Sequence, residues 1–428
     1  MTLIVTLIFL VCLLLGVPVP FSLGIPTLIY FLVNPSSVPV HFMAHSLTNP
    51  LFNYVLIALP AFLLSGRMMN GAGITNRIFK LAQAIVGRFK GGLVYTNILA
   101  SMMFASMSGT AVGDAGGLGQ IEIEMMDKAG YKREVSAGIT AASSVLGPII
   151  PPSVNMILVG AAAGISVGRM FMGGIIPGII MAAAIMIYVA IRANFSEEGK
   201  SWPIDIVPKK EIGKAFIQGI LPMLCPVIII GGINMGIATP TEAAILAIDY
   251  AIILGIFYRE LTFKNFWKTL EETVSTAGTF LYITATAGFF TWILTSEGLP
   301  QQLEVLLQPI VTFSPTVGLF VIAFFLLIIG CFMDTTAAIL MVTPILMPVV
   351  QALNIDPVLF GVVLIVSLII GIITPPFGIC LFVIADVANI PVGAVTRESV
   401  RYLPAMIVAL ILIIVFPQMV LWLPNKIF

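Results

Sequence analysis

A Pro-Pro step inside a long apolar segment occurs twice in this chain, and the two occurrences lie in register. The copies are Gly147-Pro148-Ile149-Ile150-Pro151-Pro152-Ser153 and Gly371-Ile372-Ile373-Thr374-Pro375-Pro376-Phe377. Proline removes a backbone donor and clashes with the preceding turn, so neither segment can continue as one uninterrupted helix. The register extends further, at an offset of about 220 to 227 residues. Gly73 pairs with Gly298, Ile165-Ser166-Val167-Gly168 with Ile390-Pro391-Val392-Gly393, and Gly16-Val17-Pro18-Val19-Pro20 with Gly236-Ile237-Ala238-Thr239-Pro240. The chain is therefore read as two tandem halves, each built around one interrupted helix.

The surroundings of the breaks are those of a bilayer. With 59% hydrophobic and 9% charged residues, the chain lies far from soluble composition, and its apolar runs approach membrane-crossing length. The formal net charge of zero gives no electrostatic basis for a nucleic-acid partner. Cys12, Cys225, Cys331 and Cys380 stand singly in apolar stretches and read as small core residues, with neither a disulfide framework nor a metal spacing. The apolar start, Met1 to Leu15, lacks a basic flank and a small-residue cleavage site, so it reads as a retained span.

The basic residues orient the spans. Clusters occur at Arg67, Arg77, Lys80, Arg88 and Lys90; at Lys128, Lys132 and Arg133; at Arg192, Lys200, Lys209, Lys210 and Lys214; and at Arg259, Lys264 and Lys268. Placing each cluster in the cytoplasm predicts spans over 1–16, 20–33 and 51–65, a same-side segment, then crossings over 134–168 and 171–191. The second half then crosses over 214–234, 241–258 and 273–294, makes its own same-side segment, and finishes with 357–385 and 402–423. Only Arg169 and Lys426 fall outside the cytoplasm, the uncharged loop over 34–49 is periplasmic, and both termini are periplasmic. The predicted fold class is an all-α polytopic membrane protein of two inverted-topology repeats, 1–195 and 215–428, joined by a polar cytoplasmic linker over 196–214. Each repeat carries a re-entrant helical hairpin, at about 91–127 and about 311–356, and a broken transmembrane helix, at about 134–168 and about 357–385.

Both hairpins carry polar tips. In the first, Ser106-Met107-Ser108-Gly109-Thr110 is followed by Gly113-Asp114-Ala115-Gly116-Gly117; in the second, Gly330-Cys331-Phe332-Met333-Asp334-Thr335-Thr336-Ala337 sits at the equivalent place. Irregular backbone at membrane depth survives only where protein or water satisfies it. Carbonyls released at the breaks are oxygen ligands suited to a hard monovalent cation. One candidate cation set is Ser108, Gly109, Thr110, Gly147 and Pro151, with Ser143, Ser144, Ser153 and Asn155 able to complete it; the other is Asp334, Thr335, Thr336, Gly371 and Thr374. Amides at half-helix N-termini suit an anion, which makes Asp114, Ser153, Asn155, Pro375 and Gly378 candidate substrate contacts. The expected arrangement is two sodium sites flanking an anion site, the sequence signature of a secondary transporter with inverted halves. Asp334 is the foremost individual residue because an intramembrane carboxylate is expensive. Glu242, Asp249 and Asp386 read as carboxylates near an interface or in a structural pair, and His41 and His45 lack a third ligand.

Together, Ser108-Gly109-Thr110-Ala111 with Asp114-Ala115-Gly116-Gly117, the Gly147 to Ser153 motif, Gly236-Ile237-Ala238-Thr239-Pro240-Thr241-Glu242-Ala243, Met333-Asp334-Thr335-Thr336-Ala337 and Thr374-Pro375-Pro376-Phe377-Gly378 resemble one family. It is the large, DctM-like membrane subunit of TRAP (tripartite ATP-independent periplasmic) transporters, and the likeness covers essentially the whole chain. The resemblance implies a transporter of the bacterial inner membrane and not an enzyme. It implies sodium-coupled import, with two or more Na+ per cycle, of an organic acid delivered by a soluble periplasmic binding protein. It also implies an elevator mechanism and a small four-helix membrane subunit, here a separate chain. Within the family the sialic-acid branch is favoured, with C4-dicarboxylates next. The family's cation positions map to Ser108 to Thr110 with Gly147 to Asn155, and to Asp334 to Thr336 with Gly371 to Gly378.

Three rivals stay open on the residues alone. One is a stand-alone sodium/dicarboxylate-type carrier that needs no binding protein, and another is a channel. The third is an intramembrane aspartyl protease using Asp114 and Asp334, which lacks the Gly-x-Gly-Asp signature because Ala111-Val112-Gly113 precedes Asp114. Trp202, Trp267, Trp292 and Trp422 read as interfacial anchors, and 76–90 and 258–267 as segments lying along the cytoplasmic interface.

Overall fold

Where backbone polar groups have no water to turn to, they bond within helices, and this chain is helical along nearly all its described length. The computed structural model describes residues 2–34, 40–204 and 208–428. The first half holds α1 (Thr2–Leu14), α2 (Val19–Val33), α3 (Val40–Thr48), α4 (Ala58–Gly71), α5 (Ile74–Val86), α6 (Gly92–Ser108), α7 (Ala111–Lys128), α8 (Arg133–Ser143), α9 (Val154–Ala163) and α10 (Val167–Phe195). The short α11 (Glu197–Lys200) leads into α12 (Lys209–Asn234), α13 (Pro240–Phe257), α14 (Phe263–Ser296), α15 (Leu299–Phe313), α16 (Pro315–Phe332) and α17 (Thr335–Ala352). The chain ends with α18 (Pro357–Gly371), α19 (Ile379–Ala388), α20 (Val392–Ser399), α21 (Leu403–Val415) and α22 (Gln418–Ile427). Among the described residues, eight helices are long and apolar enough to cross a membrane. No strand occurs among them.

The matched sequence positions share local geometry. Both Pro-Pro bonds, Pro151-Pro152 and Pro375-Pro376, are cis, and the glycine pairs Gly16 and Gly236, and Gly73 and Gly298, all have positive φ. Gly164 and Asn389 occupy the same left-handed position at the ends of α9 and α19. The tips differ in backbone: Gly109 is left-handed where Met333 is extended. Each tip then starts its second helix with a side-chain cap, Thr110 accepting from Gly113 N–H and Asp334 from Thr336 N–H. Such caps satisfy donors that the first turn of a helix leaves free.

Packing places the tips beside the breaks. Val154 N–H donates to Gly109 O at 3.2 Å, joining break and tip in the first half; Gly378 N–H donates to Cys331 O at 3.4 Å in the second. α16 and α18 cross in backbone contact, since a Cβ on Gly371 would lie 2.6 Å from Gly330 C and 2.7 Å from Leu327 O. α4 packs along α13, and α14 against α2, α4 and α17.

Several expectations change. The span expected over 273–294 belongs to a 34-residue helix that begins ten residues earlier at Phe263, where Thr262 caps it by accepting from Asn265 N–H. The interfacial segment over 258–267 is therefore a short connection followed by the first turn of α14. The second hairpin starts at Pro315, and 311–313 complete α15, a helix the charge pattern did not reveal. Within 34–49, α3 packs on α14 through Phe42 and Trp292, ring centroids 4.6 Å apart, while 35–39 lie outside the described residues, as do 205–207 of the linker. Trp202 is no interfacial anchor: it is 6% exposed, against Tyr131 and beneath the Arg192 guanidinium. Arg192 is drawn in by Glu198 and Glu398, each at 2.7 Å, which ties α10 to α11 and α20. All four cysteines are free.

Candidate transport site

A polar cavity of about 520 Å³ opens where both tips face α4 and α14. Its tip wall includes Ser108, Thr110, Gly113, Asp334, Thr335 and Thr336, its break wall Pro148, Asn155 and Ile372, and its facing wall Arg67, Asn70, Glu272 and Thr276. The volume falls in the range of small-molecule sites. Both tips thus converge on one space, although about 220 residues separate them in sequence.

The first tip is built around a buried carboxylate. Asp114, one turn into α7, is 2% exposed, and Ser108 Oγ donates to its Oδ1. Its Oδ2 is buried and accepts no hydrogen bond. A Cβ on Gly147 would come within 2.8 Å of that Oδ2 and 2.9 Å of Thr110 O. Glycine at 147 therefore lets the break approach the carboxylate and the Thr110 carbonyl together. Ser108 Oγ, Asp114 and Thr110 O form an oxygen-rich cradle, and among the described residues no basic side chain hydrogen-bonds to it. That is the donor set of a hard monovalent cation.

Other expected residues are engaged elsewhere. Ser153 is fully buried, donates to Pro148 O at 2.6 Å and accepts from Met156 N–H, so its hydroxyl holds the break together and caps α9. Pro151 is buried in that loop. Ser144 contacts Cys380 Sγ at 3.2 Å. Of the expected substrate contacts, Asn155 alone lines the cavity; Asp114 and Ser153 lie behind its wall, and Pro375 and Gly378 outside it. Pro375 and Pro376 are exposed where Pro151 and Pro152 are buried, and Phe377 meets Phe332 in a tilted ring contact, centroids 5.7 Å apart.

The second tip offers a different donor set. Asp334 is half-buried, its Oδ2 accepting from Thr336 N–H at 2.9 Å, and Thr335 Oγ1 is buried without a partner. Gly371 O accepts from Thr374 N–H at 2.8 Å, and Thr374 Oγ1 donates to Ile370 O at 2.7 Å. The tip residues thus face the cavity, while Gly371 and Thr374 of the break bond to their own segment.

Sequence reasoning missed Glu122 and did not single out Arg67 as a cavity residue. Glu122, two turns beyond Asp114 on α7, is 1% exposed and accepts from Asn97 Nδ2 at 2.8 Å and Ser101 Oγ at 3.3 Å. Ser143, expected at the cation site, instead donates to Asn97 Oδ1 at 2.6 Å, and Thr140 Oγ1 accepts from Asn97 Nδ2. The cluster pins α6, α7 and α8 to each other. Its only sequence signal is a carboxylate just after the Gly-rich first turns of α7, which reads equally as an interfacial charge. Glu122→Ala is expected to lower the unfolding free energy by about 1–3 kcal/mol through the stranded donors, and Glu122→Gln by less. Thermal melting of the detergent-solubilised protein checks this, and equal melting of Glu122→Ala and the parent would refute it. Arg67, counted as a cytoplasmic marker, lines the cavity, donating to Thr276 Oγ1 at 2.7 Å with Glu272 at 3.5 Å.

Long apolar helices, paired breaks and polar tips meeting at one cavity define a membrane transporter. The fold matches that of the YdaH transporter of Alcanivorax borkumensis, with a TM-score of 0.64 at 13% identity, covering 98% of this chain and 99% of that one. MtrF of Neisseria gonorrhoeae matches with a TM-score of 0.56 at 14% identity, covering 88% of this chain and 84% of that one.

Residues 6–419 match the family described as "Tripartite ATP-independent periplasmic transporter, DctM component", and the chain belongs to that family. The sialic acid TRAP transporter large permease protein SiaM of Vibrio cholerae is 40% identical over 414 residues, 96% of this chain and 95% of that protein. The 2,3-diketo-L-gulonate large permease protein YiaN of Escherichia coli is 37% identical, covering 98% and 99%. The C4-dicarboxylate large permease protein DctM of Pseudomonas aeruginosa is 35% identical, covering 94% of each.

Proposed function

We propose that this chain is the membrane carrier of a sodium-coupled importer of an organic acid, supplied by a soluble periplasmic binding protein and assembled with a separate small four-helix membrane subunit. Sialic acid is the favoured substrate and a C4-dicarboxylate the next, in line with what the SiaM and DctM relatives are named for. The observation that carries the reading is the unpartnered Oδ2 of buried Asp114, directed at Gly147 beside Thr110 O and behind the cavity wall. A carboxylate taken out of water without a partner either holds a proton or takes a compensating cation, and this reading places a cation there. Sodium there would be held by Asp114, Ser108 and the Thr110 carbonyl, which moves Asp114 from the substrate group to the cation group. Asp334 with Thr335 and Thr336 would hold a second ion, and Asn155 with the α9 start would face the anion. Two inverted repeats, 1–195 and 215–428, would carry these parts, with both termini periplasmic, and the tips and breaks would move together as the elevator.

Reconstituting the chain with its small partner and measuring uptake of labelled N-acetylneuraminate under an inward sodium gradient tests this, with and without the binding protein. Uptake requiring both is the expected result. Uptake that ignores the binding protein would favour a stand-alone carrier, and uptake indifferent to sodium would overturn the coupling.

A further inference from the structure

Arg67 is the only basic side chain among the described residues lining the cavity, which also carries the carboxylates of Glu272 and Asp334. Its side chain is 34% exposed and its guanidinium is anchored on α14 by Thr276 Oγ1 at 2.7 Å, while its ion pair to Glu272 is longer, at 3.5 Å, with the Glu272 side chain half open at 52%. A solvated pair of this kind contributes little by itself. One planar fork, held by a hydroxyl and only loosely by a carboxylate, is placed to exchange that carboxylate for another. The amide side chains that line the same cavity, Asn70 and Asn155, suit a hydroxylated ligand. A dicarboxylate would bring a second negative group into a space without a second base.

We infer that Arg67 reads the carboxylate of the transported anion, in competition with Glu272, and selects hydroxylated monocarboxylic acids over dicarboxylates. This rests on the carrier reading above, whose own failure has a separate signature. Sodium-driven uptake by the reconstituted complex with its binding protein is measured for N-acetylneuraminate and, in parallel, succinate. Arg67→Gln is expected to raise the apparent KM for N-acetylneuraminate about ten- to hundredfold, with a much smaller change in kcat. Arg67→Lys should recover part of that loss, since it keeps the charge without the fork. Glu272→Gln should shift KM the opposite way, to lower values.

A structural ion pair predicts instead that Arg67→Gln and Glu272→Gln lose uptake alike; that result, an unchanged KM in Arg67→Gln, or preference for succinate over N-acetylneuraminate overturns the inference. Loss of uptake in Arg67→Gln counts only if the complex stays monodisperse, and Arg67→Lys and Glu272→Gln decide the matter if it does not. If the unaltered complex takes up neither acid, the carrier reading fails, and the inference with it.

Discussion

Asp114→Asn is expected to reduce sodium-driven uptake at least about a hundredfold while leaving the protein as stable as before, or more so. Asparagine matches the size of aspartate, so the packing against Gly147 and the contact with Ser108 Oγ survive. What disappears is the charge. A buried carboxylate without a cation destabilises the fold, and removing such a charge is neutral or stabilising when nothing else depends on it. If a cation depends on it, about 3 kcal/mol of ion binding is lost, which gives the hundredfold figure. Uptake at graded sodium concentrations, together with melting with and without sodium, separates the two quantities. Stabilisation by sodium should be weakened in the variant. An Asp114→Asn protein with full uptake and the parent's sodium dependence would remove Asp114 from the cation site.

The second large effect lies at the crossing of α16 and α18. Valine at position 371 would place its Cβ 2.6 Å from the Gly330 backbone, where no side chain can rotate away. Either the helices separate or the backbone distorts, and overpacking of this kind costs about 1–3 kcal/mol, occasionally more. The separation would also pull the second tip from its break, because Gly378 N–H reaches Cys331 O only across this contact. Gly371→Val should therefore melt markedly lower and lose uptake. Gly231→Ala in α12 is the matched control: nothing lies within 4 Å of its Cβ position, and alanine is the better helix former by about 0.5–1 kcal/mol. Equal melting of the two variants would show that the close crossing does not hold this part of the protein together.

Much of the architecture was legible because its signals act locally. Single prolines such as Pro177 and Pro344 stay inside continuous helices, but the paired Pro-Pro steps with their neighbouring glycines do not, so the interruptions near Pro151 and Pro375 could be read from the residues alone. Glycine and threonine at 109 and 110 stop one helix and cap the next within three residues. The segment over 76–90 falls largely on α5, which buries Ile78, Phe79 and Leu81 on one face. Legibility failed where a residue's role depends on a distant partner. Arg67 looked like one more cytoplasmic base, yet Thr276 and Glu272, more than 200 residues away, hold it at the cavity. Trp202 looked like an interfacial anchor until Tyr131 and Arg192 enclosed it.

The sequence by itself determined the class of chain, the places where its helices stop, and the polar residues gathered at the two tips. These follow from lipid excluding unpaired backbone, and from proline and glycine acting on their immediate neighbours. Only the tertiary structure decided which of those polar groups meet. It put Asp114 behind the cavity wall against Gly147, spent the Ser153 hydroxyl on Pro148, left Asn155 facing the open space, and set Glu122 inside a cage of Asn97 and Ser101. The physical reason is that a buried polar group takes whichever partner packing brings within about 3 Å, and that partner belongs to another helix.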